Sequence, residues 1–200
     1  MQLIGMLASP YVRRVAISLK VLGLPFDHDL VSVFRHFEKF SSINPVVKAP
    51  TFVTDSGVVL MDSGLILDHI ARLAPRSLMP ADRAAHEIAL RLLGLALAAC
   101  DKSVAILYER NQRPSEKQHQ PWLDRVLGQV LAAYGALEHE VPPDWFTGEA
   151  LMQPQITVAV AWEFTQHNIP ELVPAADFPK LSALSARAEK HMPFLETAYA

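Results

Sequence analysis

Three short runs carry residue types that could do chemistry. Ser9-Pro10 sets a hydroxyl directly before a proline and an amphipathic stretch, and Asp62-Ser63-Gly64 sets a carboxylate and a hydroxyl before a second one. Serine followed by proline at the first helical position is an N-cap signal, and Asp62 or Ser63 gives another. Amides at such a helix start lack carbonyl partners, point outward and favour a carboxylate. The third run is Asn44-Pro45-Val46-Val47-Lys48-Ala49-Pro50-Thr51, in which Pro50 has no N–H to donate and opens a strand. Together they set an acid-and-hydroxyl helix start near unpaired backbone, a place to bind a peptide-like small molecule.

The elements that position these runs follow from local pattern. Gln2–Leu7 is a short apolar strand. Val12, Val15, Ala16, Leu19 and Leu22 recur at helical spacing, Arg13, Arg14 and Lys20 are expected to face water, and Gly23 ends the helix. Phe26, His28 and Leu30 alternate with Asp27 and Asp29 as a second strand, completing a βαβ unit. A short irregular helix is expected over Phe34–Phe40. Thr51–Thr54 and Val58–Met61 flank Asp55-Ser56-Gly57 as a hairpin. Leu65, Ile66, Ile70 and Leu73 then mark the next helix. The pattern after Asp82 is helical throughout: Ala84–Asn111, Pro121–Glu140 with Trp122, Val126, Leu127, Val130, Leu131, Tyr134 and Leu137 inward, a Gln155–Thr165 stretch that is very apolar all round, Pro179–His191 and a terminal piece over Pro193–Ala198. This predicts an α/β domain over 1–75, a linker over 76–83 and an all-α domain over 84–200.

Composition narrows the function classes. Half of the 200 residues are apolar and the net charge is −3, with both signs spread along the chain, so nothing suggests a nucleic-acid footprint. No apolar run is long enough for a membrane span, and no signal-peptide layout opens the chain. Cys100 is the single cysteine, which excludes an internal disulfide and fits a cytoplasmic setting. The eight histidines offer no pair at metal-ligand spacing with a third partner, so no metal is expected. Cys100, among Leu97, Ala98 and Ala99, reads as a packed thiol, and Glu109 with Arg113 reads as a surface ion pair.

The order β-α-β-α-β-β-α followed by helices, together with Ala8-Ser9-Pro10-Tyr11-Val12-Arg13-Arg14, Asn44-Pro45 through Lys48-Ala49-Pro50-Thr51, and Asp62-Ser63-Gly64, resembles the glutathione transferase family across nearly the whole chain, and its bacterial serine-type members in particular. The resemblance implies a thioredoxin-like N-terminal domain that carries glutathione and a helical C-terminal domain that supplies most of the second-substrate pocket. It implies a cis Pro50, with the Ala49 backbone pairing with the cysteinyl residue of glutathione like an added strand. Alanine stands where valine is usual, which keeps the backbone bonds and gives up some packing. Asp62 would face the γ-glutamyl ammonium and Ser63 its carboxylate. Lys48 is assigned to a glutathione carboxylate, and Arg35 or His36 to the glycine end. A homodimer is implied as well, in which Asp101 either reaches the partner's glutathione or is a solvated aspartate. Tyr108 and Met6 are either electrophile-pocket residues or core. One departure is visible: Met152 and Gln155 stand where a capping box is usual, so the side-chain cap is expected to be lost, with Pro154 compensating in part.

On this resemblance, Ser9 has two readings. It is the hydroxyl that donates to the glutathione thiolate, or it is an N-cap and no more, with Tyr11 a rival donor. The implied activity is transfer of the glutathione thiolate to a small hydrophobic electrophile. Glutathione-dependent isomerisation or dehalogenation and a non-catalytic, ligand-binding member are the alternatives. The lack of a cysteine beside Ser9 disfavours thiol–disulfide exchange.

Overall fold

The computed structural model describes residues 1–142, 144–146 and 150–199. Gln2–Ile4 forms β1, Pro10–Val21 forms α1 and Asp27–Asp29 forms β2. β1 and β2 run parallel with Leu3 opposite His28, and α1 makes the crossover. Val12, Val15, Ala16 and Leu19 on α1 are fully buried, as their spacing of three and four requires of a helix lying on a sheet. Phe37–Ile43 (α2) follows, then Thr51–Val53 (β3), Val59–Leu60 (β4) and Ser63–Leu73 (α3). β3 is antiparallel to both β1 and β4, which gives a four-stranded sheet in the order β2-β1-β3-β4. This is the thioredoxin-like arrangement. The hairpin turns at Gly57, whose φ of +82° suits glycine.

The helix expected over Phe34–Phe40 starts later, at Phe37. Ser32 Oγ accepts the amides of Phe34 and Arg35 at 3.3 and 3.2 Å and its carbonyl accepts the His36 amide at 3.0 Å, so a separate serine-capped turn precedes the helix.

The helical region contains Arg83–Gln112 (α4), Gln120–Glu140 (α5), Gln153–Asn168 (α6) and Pro179–Ala188 (α7). Asp82 caps α4 by accepting the Ala85 amide at 2.9 Å. From Ile156 to Trp162 α6 is buried on every side, as its very apolar sequence demands. Its polar groups are satisfied internally: the hydroxyls of Tyr134 and Thr165 lie 2.6 Å apart, Ser103 continues the chain at 3.0 Å, and Tyr134 donates to the Ala161 carbonyl at 2.9 Å. Full burial drives the Tyr134 hydroxyl pKa far above the phenol range. Trp162 packs edge-on against both Tyr134 and Phe178.

Several expectations are corrected here. The Met152 side chain makes no capping bond at α6, as expected, but Gln155 Oε1 accepts the Met152 amide at 2.7 Å and keeps the other half of the box. Trp122 and Leu131 on α5, expected inward, are 44% and 37% exposed, as are Leu65 and Leu73 on α3 to a larger degree. Glu109 is not a surface residue. Its carboxylate accepts the His119 amide at 3.0 Å besides pairing with Arg113, tying the end of α4 to the start of α5. That amide holds its carboxyl below the usual carboxylate range.

The largest correction concerns Arg13, expected in water and found 1% exposed. Contacts divide the chain into Met79–Ala188 and a second unit in which Glu189–Ala200 joins Met1–Leu78. The sequence had placed these last residues with the helices. Arg13 is the reason for the difference. Its guanidinium meets Glu189 bidentately at 2.8 and 2.6 Å, and its Nε donates to the Thr197 carbonyl at 2.8 Å. The Phe194 ring, on the short helix Met192–Leu195 (α8), lies 5.6 Å below the guanidinium carbon. A planar fork with five donors can hold a strand of carbonyls and a carboxylate together, which lysine cannot.

Removing the cation strands Glu189 and two carbonyls. Arg13→Met is expected to lose about 3 kcal/mol, the low end for a broken buried pair because the Glu189 side chain keeps 28% exposure. Arg83→Met, at a side chain 94% exposed, should change stability by under about 0.5 kcal/mol. Urea denaturation of both variants measures the contrast.

Candidate functional site

β1 ends at Ile4, short of the Leu7 expected, and the chain then turns from Gly5 through Met6, Leu7 and Ala8 into α1. Gly5 has φ +139°, and a Cβ placed there would lie 2.6 Å from Val12 Cγ2 and 3.3 Å from the Ala49 Cβ. The turn is thus pressed between its own helix and the Ala49-Pro50 corner. It is anchored on the far side as well: Gly5 N–H donates to the Asp29 carbonyl at 3.1 Å, and His28 Nε2 lies 2.9 Å from the Gly5 carbonyl.

The turn delivers Ser9 to the mouth of α1 in an extended conformation, φ −78° and ψ 121°. Arg13 N–H closes the first helical turn on the Ser9 carbonyl at 2.9 Å. The Ser9 hydroxyl, half-buried, makes no capping bond. It occupies the N-cap position without using its side chain there. Tyr11 and Met6 are half-buried near it in the chain.

The opposite wall is built by Asn44, a buried residue at the end of α2. Asn44 Nδ2 donates to Thr51 Oγ1 at 2.8 Å, Asn44 Oδ1 accepts the Val46 amide at 3.0 Å, and Thr51 Oγ1 donates to the Lys48 carbonyl at 2.8 Å. One amide side chain therefore fixes both ends of the 45–51 loop. The Ala49–Pro50 peptide is cis. Among the described residues, the N–H and C=O of Ala49 take no part in a hydrogen bond.

α3 closes the site. Asp62 is its N-cap, with Oδ1 accepting the Gly64 and Leu65 amides at 3.0 and 3.4 Å. The other oxygen, Oδ2, is 4.0 Å from Lys48 Nζ, and both side chains are about half exposed, so this pair adds little stability and leaves both groups within reach of a ligand. Ser63 is buried, and Arg14 NH1 donates to its hydroxyl at 3.4 Å. Arg14 is 5% exposed, against the expectation of a water-facing side chain.

The structure thus joins Ala49 to the turn before Ser9, Lys48 to Asp62, and Ser63 to α1. Arg35 is exposed, and His36 Nδ1 accepts the Ser32 amide at 3.2 Å. Cys100, Asp101 and Tyr108 belong to α4 in the other unit, the first buried and the other two exposed. Partial burial raises the Tyr108 hydroxyl above its ordinary pKa. Among the described residues, no group of three or more His, Cys, Asp or Glu side chains is placed to hold a metal, and no helix is long and apolar enough to cross a membrane. Sequence reasoning missed Gly5, Asn44 as the organiser of the loop, and Arg14. A glycine inside the strand expected over Gln2–Leu7 was the one signal available for the first of these.

Known proteins can be set beside this geometry. Residues 3–78 match the family model for the glutathione S-transferase N-terminal domain. A glutathione S-transferase from Methylobacterium radiotolerans, solved with glutathione sulfonate, superposes with a TM-score of 0.89 at 28% identity, covering 100% of this chain and 95% of that one. A glutathione transferase family member from Pseudomonas fluorescens, solved with bound glutathione, gives 0.87 at 29% identity and covers 100% and 98%. Glutathione S-transferase U3 of Arabidopsis thaliana is 27% identical over 197 residues, 90% of this chain and 80% of the relative. The fold is that of the glutathione transferases.

Gly5 tests whether the turn and the Ala49 corner are pressed together as described. Gly5→Ala should cost about 1–3 kcal/mol, from φ strain and the Val12 clash. Gly94→Ala, inside α4 with open space around it, should instead stabilise by about 0.5–1 kcal/mol. Opposite shifts in the urea midpoint are the expected result.

Proposed function

We propose that this chain, whose N-terminal domain matches that of the glutathione S-transferases, is itself a glutathione transferase of the serine type. It binds glutathione along the Ala49 backbone and adds the thiolate to a small hydrophobic electrophile. The observation that carries this reading is the Ser9 hydroxyl: it stands at the start of α1, is not spent on capping, and follows a turn so near Ala49 that a Cβ on Gly5 would lie 3.3 Å from the Ala49 Cβ. The glutathione and glutathione sulfonate found in the two similar structures support the choice of ligand.

In the proposed complex the cysteinyl residue of glutathione pairs with the Ala49 N–H and C=O as an extra strand beside Pro50. Its γ-glutamyl end lies at the start of α3, with the ammonium against Asp62 and the carboxylate against Ser63. Lys48 meets a carboxylate of the tripeptide. The sulfur then falls to Ser9. A free thiol ionises near pH 8.5, roughly. A hydroxyl donating to the thiolate is a bond to a charged group, worth about 1.5–3 kcal/mol. At about 1.4 kcal/mol per unit this lowers the thiol pKa by about one to two units, and the amide end of α1 adds to the effect. Much of the bound glutathione is then nucleophilic at neutral pH, and the electrophile supplies the leaving group or the acceptor carbon. We place the protein in the cytoplasm, where glutathione is kept reduced.

The homodimer belongs to the same proposal. Leu65 and Leu73 on α3 are 65% and 49% exposed, and Ile88 and Leu90 on α4 are 60% and 53% exposed. Apolar side chains left in water along helices are accounted for by a second copy. Sedimentation equilibrium should return twice the 22.2 kDa chain mass, and a single chain mass at micromolar concentration would remove the dimer from the account.

Ser9→Ala tests the chemistry. Glutathione affinity should stay nearly unchanged while the pKa of the bound thiol rises by about one to two units, read from thiolate absorbance against pH. Equal midpoints in the two proteins would take Ser9 out of the mechanism. Glutathione binding with no turnover of any electrophile, and no effect of the substitution, would mark a ligand-binding member of the fold.

A further inference from the structure

We infer that Arg14 is a specificity residue for the carboxylate held at the start of α3, acting through Ser63. This rests on the proposed glutathione site and goes beyond it, since it names the group that makes the site select a tripeptide carrying an α-carboxylate.

The geometry has three parts. First, Arg14 lies on α1 with only 5% of its surface exposed, and its NH1 donates to Ser63 Oγ at 3.4 Å across the contact between α1 and α3. Ser63 therefore accepts from a cation, and its own hydroxyl proton is directed elsewhere. Second, Asp62 takes the amides of Gly64 and Leu65, the second and third of the helix, and leaves that of Ser63. The first amides of a helix have no carbonyl behind them. Ser63 thus offers an N–H and an O–H side by side, which is the pair of donors that one carboxylate accepts. Third, both the guanidinium and the hydroxyl it donates to are nearly buried, so attraction between that charge and an anion held by Ser63 is less screened than at a surface.

Asp62 and Arg14 then divide the work. The half-exposed carboxylate faces the ammonium of an amino-acid end, and the buried guanidinium faces its carboxylate through one hydroxyl. Lysine would keep the charge and lose the planar fork. Glutamine would keep much of the volume and lose the charge. Arg14 touches no reacting atom and is a positioning residue.

The test uses isothermal titration of the full chain with glutathione and with the tripeptide in which 4-aminobutyrate replaces the γ-glutamyl residue, which keeps the amine and the thiol and lacks the α-carboxylate. Arg14→Gln should weaken glutathione at least tenfold and leave binding of the 4-aminobutyryl tripeptide unchanged, with Arg14→Lys in between. An equal loss for both tripeptides, or a loss for neither, overturns the inference, because a role confined to packing does not distinguish them. If Arg14→Gln does not fold, Arg14→Lys carries the same comparison with a smaller factor. A wild-type chain that binds neither tripeptide overturns the proposed function and this inference together. A wild-type chain that binds both equally overturns this inference alone. An unshifted thiol pKa in Ser9→Ala would remove the proposed chemistry and leave the carboxylate assignment standing.

Discussion

The close approach at Gly5 sets the terms for the rest of the N-terminal unit. There is no room for a side chain where β1 turns toward α1, because Val12 and Ala49 already occupy both sides. That contact brings together two segments far apart in sequence, the turn that ends on Ser9 and the loop that ends on Pro50. Asn44 then stiffens the loop from within, with hydrogen bonds to Val46 and Thr51. A hydroxyl and an unbonded stretch of backbone are held near each other by shape on one side and by an amide side chain on the other. Neither segment could do this alone, since each is a loop with few hydrogen bonds of its own.

Two consecutive arginines give the helix that follows its place. Arg13 points toward the C-terminal segment and is held by Glu189 and the carbonyls of Thr197 and Phe194. Arg14, one helical step away, points toward α3 and Ser63. The helix is thereby tied to the last residues of the chain and to the other half of the site by charge-assisted contacts, besides the apolar face that packs on the sheet. Burying two guanidinium groups on one helix carries a desolvation cost that apolar packing would avoid. Their retention ties the orientation of α1, and with it Ser9, to groups distant in sequence.

The sequence showed the order of elements, the hairpin and the apolar stripe of α1, because these depend on periodicity and on turn residues within a few positions of one another. Asp62 was recognisable as a helix start for the same reason. The fate of Arg13 and Arg14 was not visible. A charged residue beside an apolar stripe looks solvated unless its partners are known, and those partners are Glu189, Thr197 and Ser63. The allocation of Glu189–Ala200 to the N-terminal unit was hidden by the same long-range pairing. Glu109 looked like half of a helix-surface pair, since the amide of His119 that it accepts lies beyond a loop. Leu65, Leu73, Trp122 and Leu131 fit a buried stripe by spacing, yet this single chain leaves them exposed, and spacing cannot tell a face that meets the core from one that meets another chain. At the site, Ser9 was legible as a residue type in the right place, and only the structure shows that its hydroxyl is not used as a cap.

The most direct test of the central claim is a crystal structure of the protein with glutathione bound. The account predicts two backbone hydrogen bonds between Ala49 and the cysteinyl residue, and Ser9 Oγ within hydrogen-bonding distance of the sulfur. A tripeptide seated elsewhere, or a Ser9 hydroxyl turned away from the sulfur toward the amides of α1, would contradict it.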